Sequence, residues 1–365
     1  MPGGCAATPK GRPLLSADDF LRVPRAHGAA VGSARVRVVP EDFLVREWLG
    51  FEADGEGDHL LLRVRKRGAN TAWVAKGLAR LGRIPVRDVG YAGLKDREAV
   101  AEQAFTVPAR SALGEQWVGI RGEGFEVLDA KRHRRKLKRG ALRGNEFTIV
   151  LRDFQGERSR LEQRLAMIAA RGVPNYFGPQ RFGRAGRNIA TALQWFEQGI
   201  EPQDRAQRGF AISAARSALF NAVLAERVQQ GSWDRLLPGD LANLDGSGSI
   251  FEVTEVDAQL GARCEALDIH PSGPLWHGVS TAGGSVRELE EGVAERFAAL
   301  ADGLQRIAPE PQRRALRARV AELRWSIEDD TNVRLSFRLA KGSFATAVLH
   351  ELIEGAFATE VPEAD

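Results

Sequence analysis

The stretch "NVRLSFRL" occupies residues 332–339. Val333, Leu335, Phe337 and Leu339 alternate with Arg334, Ser336 and Arg338. That is the period-two pattern of a strand with one face buried and one face wet. Its position decides the fold. The chain before it is helix-rich, and the chain before that is strand-rich, so a strand this clean means a return to a sheet left earlier.

Working outward, "KGSFATAVLHELIEG" turns into a helix just after the strand. Upstream, "SVRELEEGVAERFAALADGL" reads as one helix, with Ser285 and Glu288 at capping-box spacing over Val286, Leu289, Val293, Phe297 and Leu300. "ISAARSALFNAVLAERV" is also helical, and "VPNYFGPQRFGRAGRNIA" is Gly-rich, aromatic and basic. "SRLEQRLAMIAARG" predicts a helix capped by Ser159 and Glu162, buried through Leu161, Leu165 and Ile168, and stopped by Gly172 and Pro174. Before it, "EFTIVLRDF" and "HLLLRVRKRG" read as strands, the second with Leu60, Leu62 and Val64 on one face. "SARVRVVPEDFLVREWLG" reads as strand, turn at Pro40, strand. "NTAWVAKGLARLG" reads as a helix with Val74, Leu78 and Leu81 inward and Gly82 as terminator, and "VRDVGYAG" as a strand. The pattern predicts an α+β protein. Residues 1–170 and 320–365 form a sheet-based domain, and residues 171–319 a helix-rich insertion domain.

The 365 residues suffice for two domains, and 43% hydrophobic against 27% charged is a globular balance. No apolar run approaches the roughly 18 residues of a membrane helix, so no membrane partner is expected. The N-terminal residues lack the charged-then-apolar order of a signal peptide. Cys5 and Cys264 lie far apart, which argues against a disulfide framework or cysteine-based zinc and favours a reducing cytosol. There is no GxxxxGK[ST] loop, "GRAGRN" is no dinucleotide fingerprint, and the six histidines form no HExxH, so no metal is expected. His133 reads as solvated or phosphate-facing, and His270 and His277, flanking "PSGPLW", as loop polarity.

The net charge is only +4. Its distribution says more: "KRHRRKLKRG" from Lys131 packs seven cations into nine positions and runs directly toward a strand. A solvated charged face is the bland explanation. A basic run embedded between ordered segments favours nucleic acid, with Arg134, Arg135 and Lys138 as phosphate-binding candidates.

"GYAGLKDREAV" spans residues 90–100 and places Asp96 between Lys95 and Arg97. On an extended strand Asp96 points away from both neighbours, leaving them to hold RNA phosphates. A carboxylate nucleophile needs a cation elsewhere to stay ionised when buried. Local evidence alone equally suits a turn contact or a surface ion pair. Phe43 and Phe344 suit either core positions or stacking on a base.

Several segments in order, "PEDFLVRE", "DGEGDHLLLRV", "GYAGLKDREAV", "RRKLKRGALRGNEFTIVL", "GVPNYFGPQRFG", "SAARSALFN", "LPGD" and "KGSFATAVLHEL", together resemble the TruD family of tRNA pseudouridine synthases. The resemblance runs from about residue 35 to about residue 355. It implies a pseudouridine-synthase-type mixed, largely antiparallel sheet with flanking helices, interrupted by a family-specific insertion. It implies a cytoplasmic, monomeric isomerase that converts a uridine of tRNA, typically at position 13, to pseudouridine without cofactor or metal. Asp96 then matches the nucleophile, and Phe43, Asn145 and Phe344 match substrate contacts. Phe147, two residues past Asn145 on a strand, shares its face. Arg37 stands where lysine is expected and is the candidate ion-pair partner of Asp96. Ala101 replaces a usual threonine, and His350 a common arginine. Two alternatives stand beside this: the same chemistry on another RNA, and a non-catalytic RNA-binding or RNA-folding protein. The second accounts for the basic run but leaves the matches at Asp96, Asn145 and Phe344 unexplained.

Overall fold

The computed structural model describes residues 18–20, 22–95, 100–329 and 331–355. Strands β1 (Gly32–Val36), β2 (Phe43–Trp48) and β3 (His59–Lys66) lead into helix α1 (Thr71–Gly82). Strands β4 (Gly90–Tyr91), β5 (Val100–Pro108), β6 (Arg121–Gly122), β7 (Phe125–His133) and β8 (Gly144–Gly156) follow, then helix α2 (Arg158–Arg171). Strand β9 (Val173–Pro174) opens the middle of the chain. There α3 (Arg187–Gln198), α4 (Arg205–Gln229), β10 (Leu241–Leu244), β11 (Ile250–Glu252) and α5 (Ala258–Glu265) succeed one another. Next come β12 (Ile269–Leu275), α6 (Gly284–Arg296), α7 (Ala298–Ile307), β13 (Gln312–Ala315) and β14 (Arg317–Ala318). Strands β15 (Ala321–Ile327) and β16 (Val333–Ala340) and helix α8 (Ala345–Leu352) complete the fold.

The large sheet runs β15-β16-β8-β2-β5-β3-β7-β6, with β1 also on β8 and β4 on β5. The β2–β5 pair is parallel and its neighbours are antiparallel, so the sheet is mixed and largely antiparallel, as expected. The "NVRLSFRL" strand returns beside β8, with Phe337 opposite Phe147. One core fills the face carrying Phe43, Phe147, Leu335 and Phe337, closed by Leu161 and Leu165 of α2 and Val348 and Leu352 of α8. A second core packs α1 against β3, β5 and β7 through Leu62, Val64, Val74, Leu78 and Phe105.

The middle of the chain has its own core of Phe196, Phe220, Leu224, Leu300 and Leu304. Within α4, Ala211, Ala214, Ala215 and Ala218 are fully buried, and their small side chains let neighbouring elements approach closely. Strand β10 joins β11 to β12, and β13 extends the same small sheet. The chain leaves and re-enters the large sheet side by side, because β9 pairs with β14.

Several local expectations need correction. Helix α2 starts at Arg158 with Glu157 at its cap and no side-chain hydrogen bond there, so Ser159 lies inside the first turn. Helix α6 likewise starts at Gly284, with Gly283 at its cap, which leaves Ser285 inside. The single helix expected from residue 285 is two, broken at Phe297 (φ −113°, ψ 40°), whose ring packs 5.0 Å from that of Phe20. At the end of α1 the left-handed residue is Arg83 (φ 49°), whereas Gly82 remains helical: a Cβ there would meet Trp117 at 3.0 Å. "VRDVGYAG" forms a short 3-10 turn and only a two-residue strand. His270 belongs to β12 rather than a loop and is buried between Asp245 (3.1 Å) and Arg317 (3.0 Å). Burial of His270 lowers its pKa, partly opposed by the Asp245 hydrogen bond.

The segment before β1 is fastened to α8. The Glu351 carboxylate accepts from the backbone N–H of Ala26 (2.9 Å) and of His27 (3.0 Å), and Arg25 donates to the His350 carbonyl (2.6 Å). Among the described residues, no helix is long and apolar enough to cross a membrane.

Candidate active site and RNA interface

The register of the large sheet aligns Glu47 of β2, Asn145 of β8 and Leu339 of β16 in one row. Lys95 reaches across this row. Its Nζ lies 3.0 Å from Glu47 Oε1 and donates to Asn145 Oδ1 at 2.8 Å. The Lys95 and Glu47 side chains are 8% and 1% exposed, so the pair is nearly dry. A buried cation is tolerated when an acid and a further acceptor satisfy it, as here. The other Glu47 oxygen accepts from Ala104 N–H at 3.0 Å.

The backbone of the same loop is fixed as well. Lys95 N–H donates to Thr71 Oγ1 (2.9 Å), whose hydroxyl donates to Gln103 Oε1 (3.0 Å), and Gln103 Nε2 donates to the Gly93 carbonyl (2.7 Å). The loop is therefore anchored at both Gly93 and Lys95. Asp96 itself, with Arg97, Glu98 and Ala99, lies outside the described residues. Lys95, expected to hold an RNA phosphate, instead turns inward onto Glu47 and Asn145. Glu47 was not among the expected site residues, and the inward role of Lys95 was not foreseen. Their only signal is membership of "PEDFLVRE" and "GLKD", where attention falls on the phenylalanine and the aspartate.

Asp42 sets the turn that delivers Phe43. Arg152 donates to both of its oxygens (2.7–2.9 Å), and Val39 N–H donates to it as well at 3.1 Å. Burial, the largest single influence, pushes the Asp42 carboxyl up, but the Arg152 hydrogen bonds and charge together with the Val39 and Val38 backbone N–H groups hold it below the ordinary value. The Phe43 ring stands edge-on to Phe147 at 6.1 Å, and Phe147 stacks on Phe337 at 5.5 Å. Phe43 and Phe147 are buried, and Asn145 is half-buried. The exposed Arg37 lays its guanidinium over Phe43, 4.1 Å from the ring centroid. Ala101 is fully buried in the core beneath, opposite Val45.

Phe344 stands apart from these rings. It is the residue before α8, half-buried, and its ring contact is with Phe177 at 5.9 Å, at the junction with the helical core. The structure thus gathers Phe43, Phe147 and Asn145 on one face of the sheet and sets Phe344 where the two halves of the chain meet.

The basic run is split by the end of β7. Arg132 pairs with Glu115 (2.7 Å) and Arg134 with Glu56. Lys136 donates to the Arg87 carbonyl, and Arg139 lies over Tyr91 at 5.7 Å. Arg135 and Lys138 are exposed, with no acid partner among the described residues. His133 is not solvated. It is buried, its ring stacks on Phe51 at 5.5 Å, and its Nδ1 lies 2.7 Å from Asp54 Oδ2. The Asp54 carboxyl is held low, first by the Arg134 backbone N–H bonded to it.

The chain is similar to known proteins over most of its length. The family model for tRNA pseudouridine synthase D (TruD) matches residues 28–193 and 187–352. A tRNA pseudouridine synthase D from Methylococcus capsulatus is 47% identical over 336 residues, covering 92% of this chain and 95% of that protein. One from Xanthomonas axonopodis pv. citri is 46% identical, covering 90% and 94%. The fold matches a crystal structure described as a tRNA pseudouridine synthase D from Methanosarcina mazei (TM-score 0.68, 20% identity, 93% of this chain and 97% of that one). A chain with this sheet, this anchored loop and these matches over most of its length belongs to the tRNA pseudouridine synthase D family.

Proposed function

We propose that this chain converts a uridine of transfer RNA, the one at position 13, to pseudouridine, with Asp96 as the nucleophilic carboxylate. The reaction is an isomerisation. The N1–C1′ bond of the nucleotide breaks, the uracil turns in place, and C5 bonds to the same C1′. C5 gives up a proton and N1 gains one, so nothing is oxidised and no cofactor or metal is assigned. The target base must leave its stack to reach the carboxylate.

The observation that carries this reading is the Glu47–Lys95–Asn145 junction immediately before Asp96. A nucleophile works best from a backbone that is already positioned. With its Oδ1 taken by Lys95, Asn145 keeps its NH₂ to donate to a uracil carbonyl. Phe43 underlies Arg37, the candidate partner for Asp96, and Phe344 offers a second ring for stacking. Residues 1–170 and 320–365 act as the catalytic domain and residues 171–319 as the insertion that closes over RNA. Arg134, Arg135 and Lys138 hold phosphates at its edge. The protein works as a cytosolic monomer.

Asp96→Asn tests the assignment. Pseudouridine formation in an unmodified tRNA transcript should vanish while tRNA affinity stays within about twofold. Turnover near that of the unaltered protein would remove Asp96 as nucleophile.

A further inference from the structure

Two arginines meet at the junction of the two halves of the chain, with no acid between them among the described residues. The Arg314 guanidinium lies 4.2 Å from the centroid of Phe177 and 5.8 Å from that of Phe344. Arg181 lies 4.9 Å from Phe177 and 5.9 Å from Phe344. Both are half-buried. Arg314 donates to the Asn175 carbonyl (3.1 Å), to Asn175 Oδ1 (2.5 Å) and to the Gly342 carbonyl (2.8 Å). Arg181 donates to Ser213 Oγ at 2.9 Å. All these acceptors are neutral, and among the described residues neither guanidinium makes an ion pair.

That arrangement is costly as it stands. Desolvated charges in folded proteins are normally paired. Burial, with the Arg181 charge added, brings Arg314 down to about 9, and burial lowers Arg181 as well. The first turn of α8 adds to the same place. Thr346 Oγ1 is buried and lacks a hydrogen-bond partner among the described residues, and a Cβ on Gly178 would lie 2.7 Å from it. Gly178 and Arg181 belong to one turn, closed by the Arg181 N–H to the Gly178 carbonyl at 3.0 Å.

We propose that Arg181, Arg314 and the first turn of α8 bind a backbone phosphate of the RNA next to the nucleotide that stacks on Phe344. The proposal rests on the reading of this chain as a tRNA-modifying enzyme. Arg181 makes the direct contact, because among the described residues only one of its five N–H groups is engaged. Arg314, held by its neutral acceptors, supplies a fixed charge behind it. A phosphodiester oxygen suits a guanidinium fork and a helix N-terminus alike.

The test pairs Arg181→Gln with an unmodified tRNA transcript whose phosphate on either side of the target uridine is replaced, one at a time, by a neutral methylphosphonate. In the unaltered protein one of the two replacements should weaken binding roughly tenfold, the scale of a charge-assisted hydrogen bond. Arg181→Gln should bind natural tRNA about as weakly, with the salt slope reduced by roughly 0.7–0.9 for one lost contact. The methylphosphonate should then cost that variant nothing further. Thr346→Val should weaken binding in the same direction and provides the reading if Arg181→Gln unfolds. Unchanged affinity and slope in both variants would make the arginines packing cations and overturn the site. If the unaltered protein binds tRNA yet makes no pseudouridine, the functional reading falls while the slopes still decide the site. If it makes pseudouridine and both variants bind as it does, only the phosphate site falls.

Discussion

Lys95 shows what neighbours in sequence leave unsaid. Beside Asp96 and Arg97 it reads as a surface cation, yet its partners are Glu47 and Asn145, brought to it by strand register. His133 was misread for the same reason: its acid, Asp54, and its stacking ring, Phe51, belong to a different stretch of chain. Arg314 lies outside every quoted motif, and Arg181, though inside "GVPNYFGPQRFG", is not singled out there, because only the fold sets the two around one ring. Phe43 and Asn145, by contrast, were singled out through the motifs that contain them, and the strand register sets both on one face of the sheet. Removing one partner of a buried pair typically costs about 3–5 kcal/mol. Glu47→Ala should therefore lower the urea midpoint by a corresponding amount and reduce turnover at temperatures where the protein is still folded. Adding Lys95→Met should restore much of the stability, since a dry apolar pair replaces the ions, but not the turnover. A single variant that unfolds at the original midpoint would show the pair to be idle.

Among the elements, strands were the most legible. Alternation in "NVRLSFRL" and "HLLLRVRKRG" matches β16 and β3 because one face of each is buried and the other is not. Helix starts were less so. Ser159 and Ser285 have capping-box spacing, but α2 and α6 begin before them, so the serines fall inside the first turn. The basic run also divides at the level of elements. Arg132, inside β7, is matched by Glu115 and Arg134, just past it, by Glu56, which leaves Arg135 and Lys138 in the segment beyond. Arg135→Ala with Lys138→Ala should weaken tRNA binding and flatten the slope of log affinity against log salt by roughly 1.4–1.8. Arg134→Ala should do less, since that arginine already faces Glu56. Equal slopes for the double variant and the unaltered protein would make the run a solvated face.

For the molecule as a whole, acid is the revealing condition. Five of the six histidines, His27, His59, His270, His277 and His350, are lowered by burial. His350 is held near pH 4 by burial and by Arg25, against 6.5 when unfolded. A folded state that keeps these rings neutral binds fewer protons than the unfolded chain. Its stability is complete above about pH 6.5 and is lost as pH falls toward 4. His350 alone accounts for about 3 kcal/mol of that loss at most. The urea midpoint should thus be lower at pH 5 than at pH 7.5, and His350→Gln should narrow the gap. Identical midpoints at the two pH values would contradict the burial of these rings. The plan in which β16 returns to the large sheet was visible because that strand resumes a pattern abandoned after β8.

That plan has a consequence for how the protein is made. Phe147 of β8 and its partner Phe337 of β16 are 190 positions apart. At about 5–20 residues per second, the ribosome needs roughly 10–40 s to deliver β16 after β8 has emerged. Throughout that interval residues 144–151 of β8 present a bare edge on the side β16 will occupy, and α8 is not yet there to cover the apolar face. The nascent chain therefore has a window in which a chaperone has reason to hold it, and it closes only when the last strand arrives.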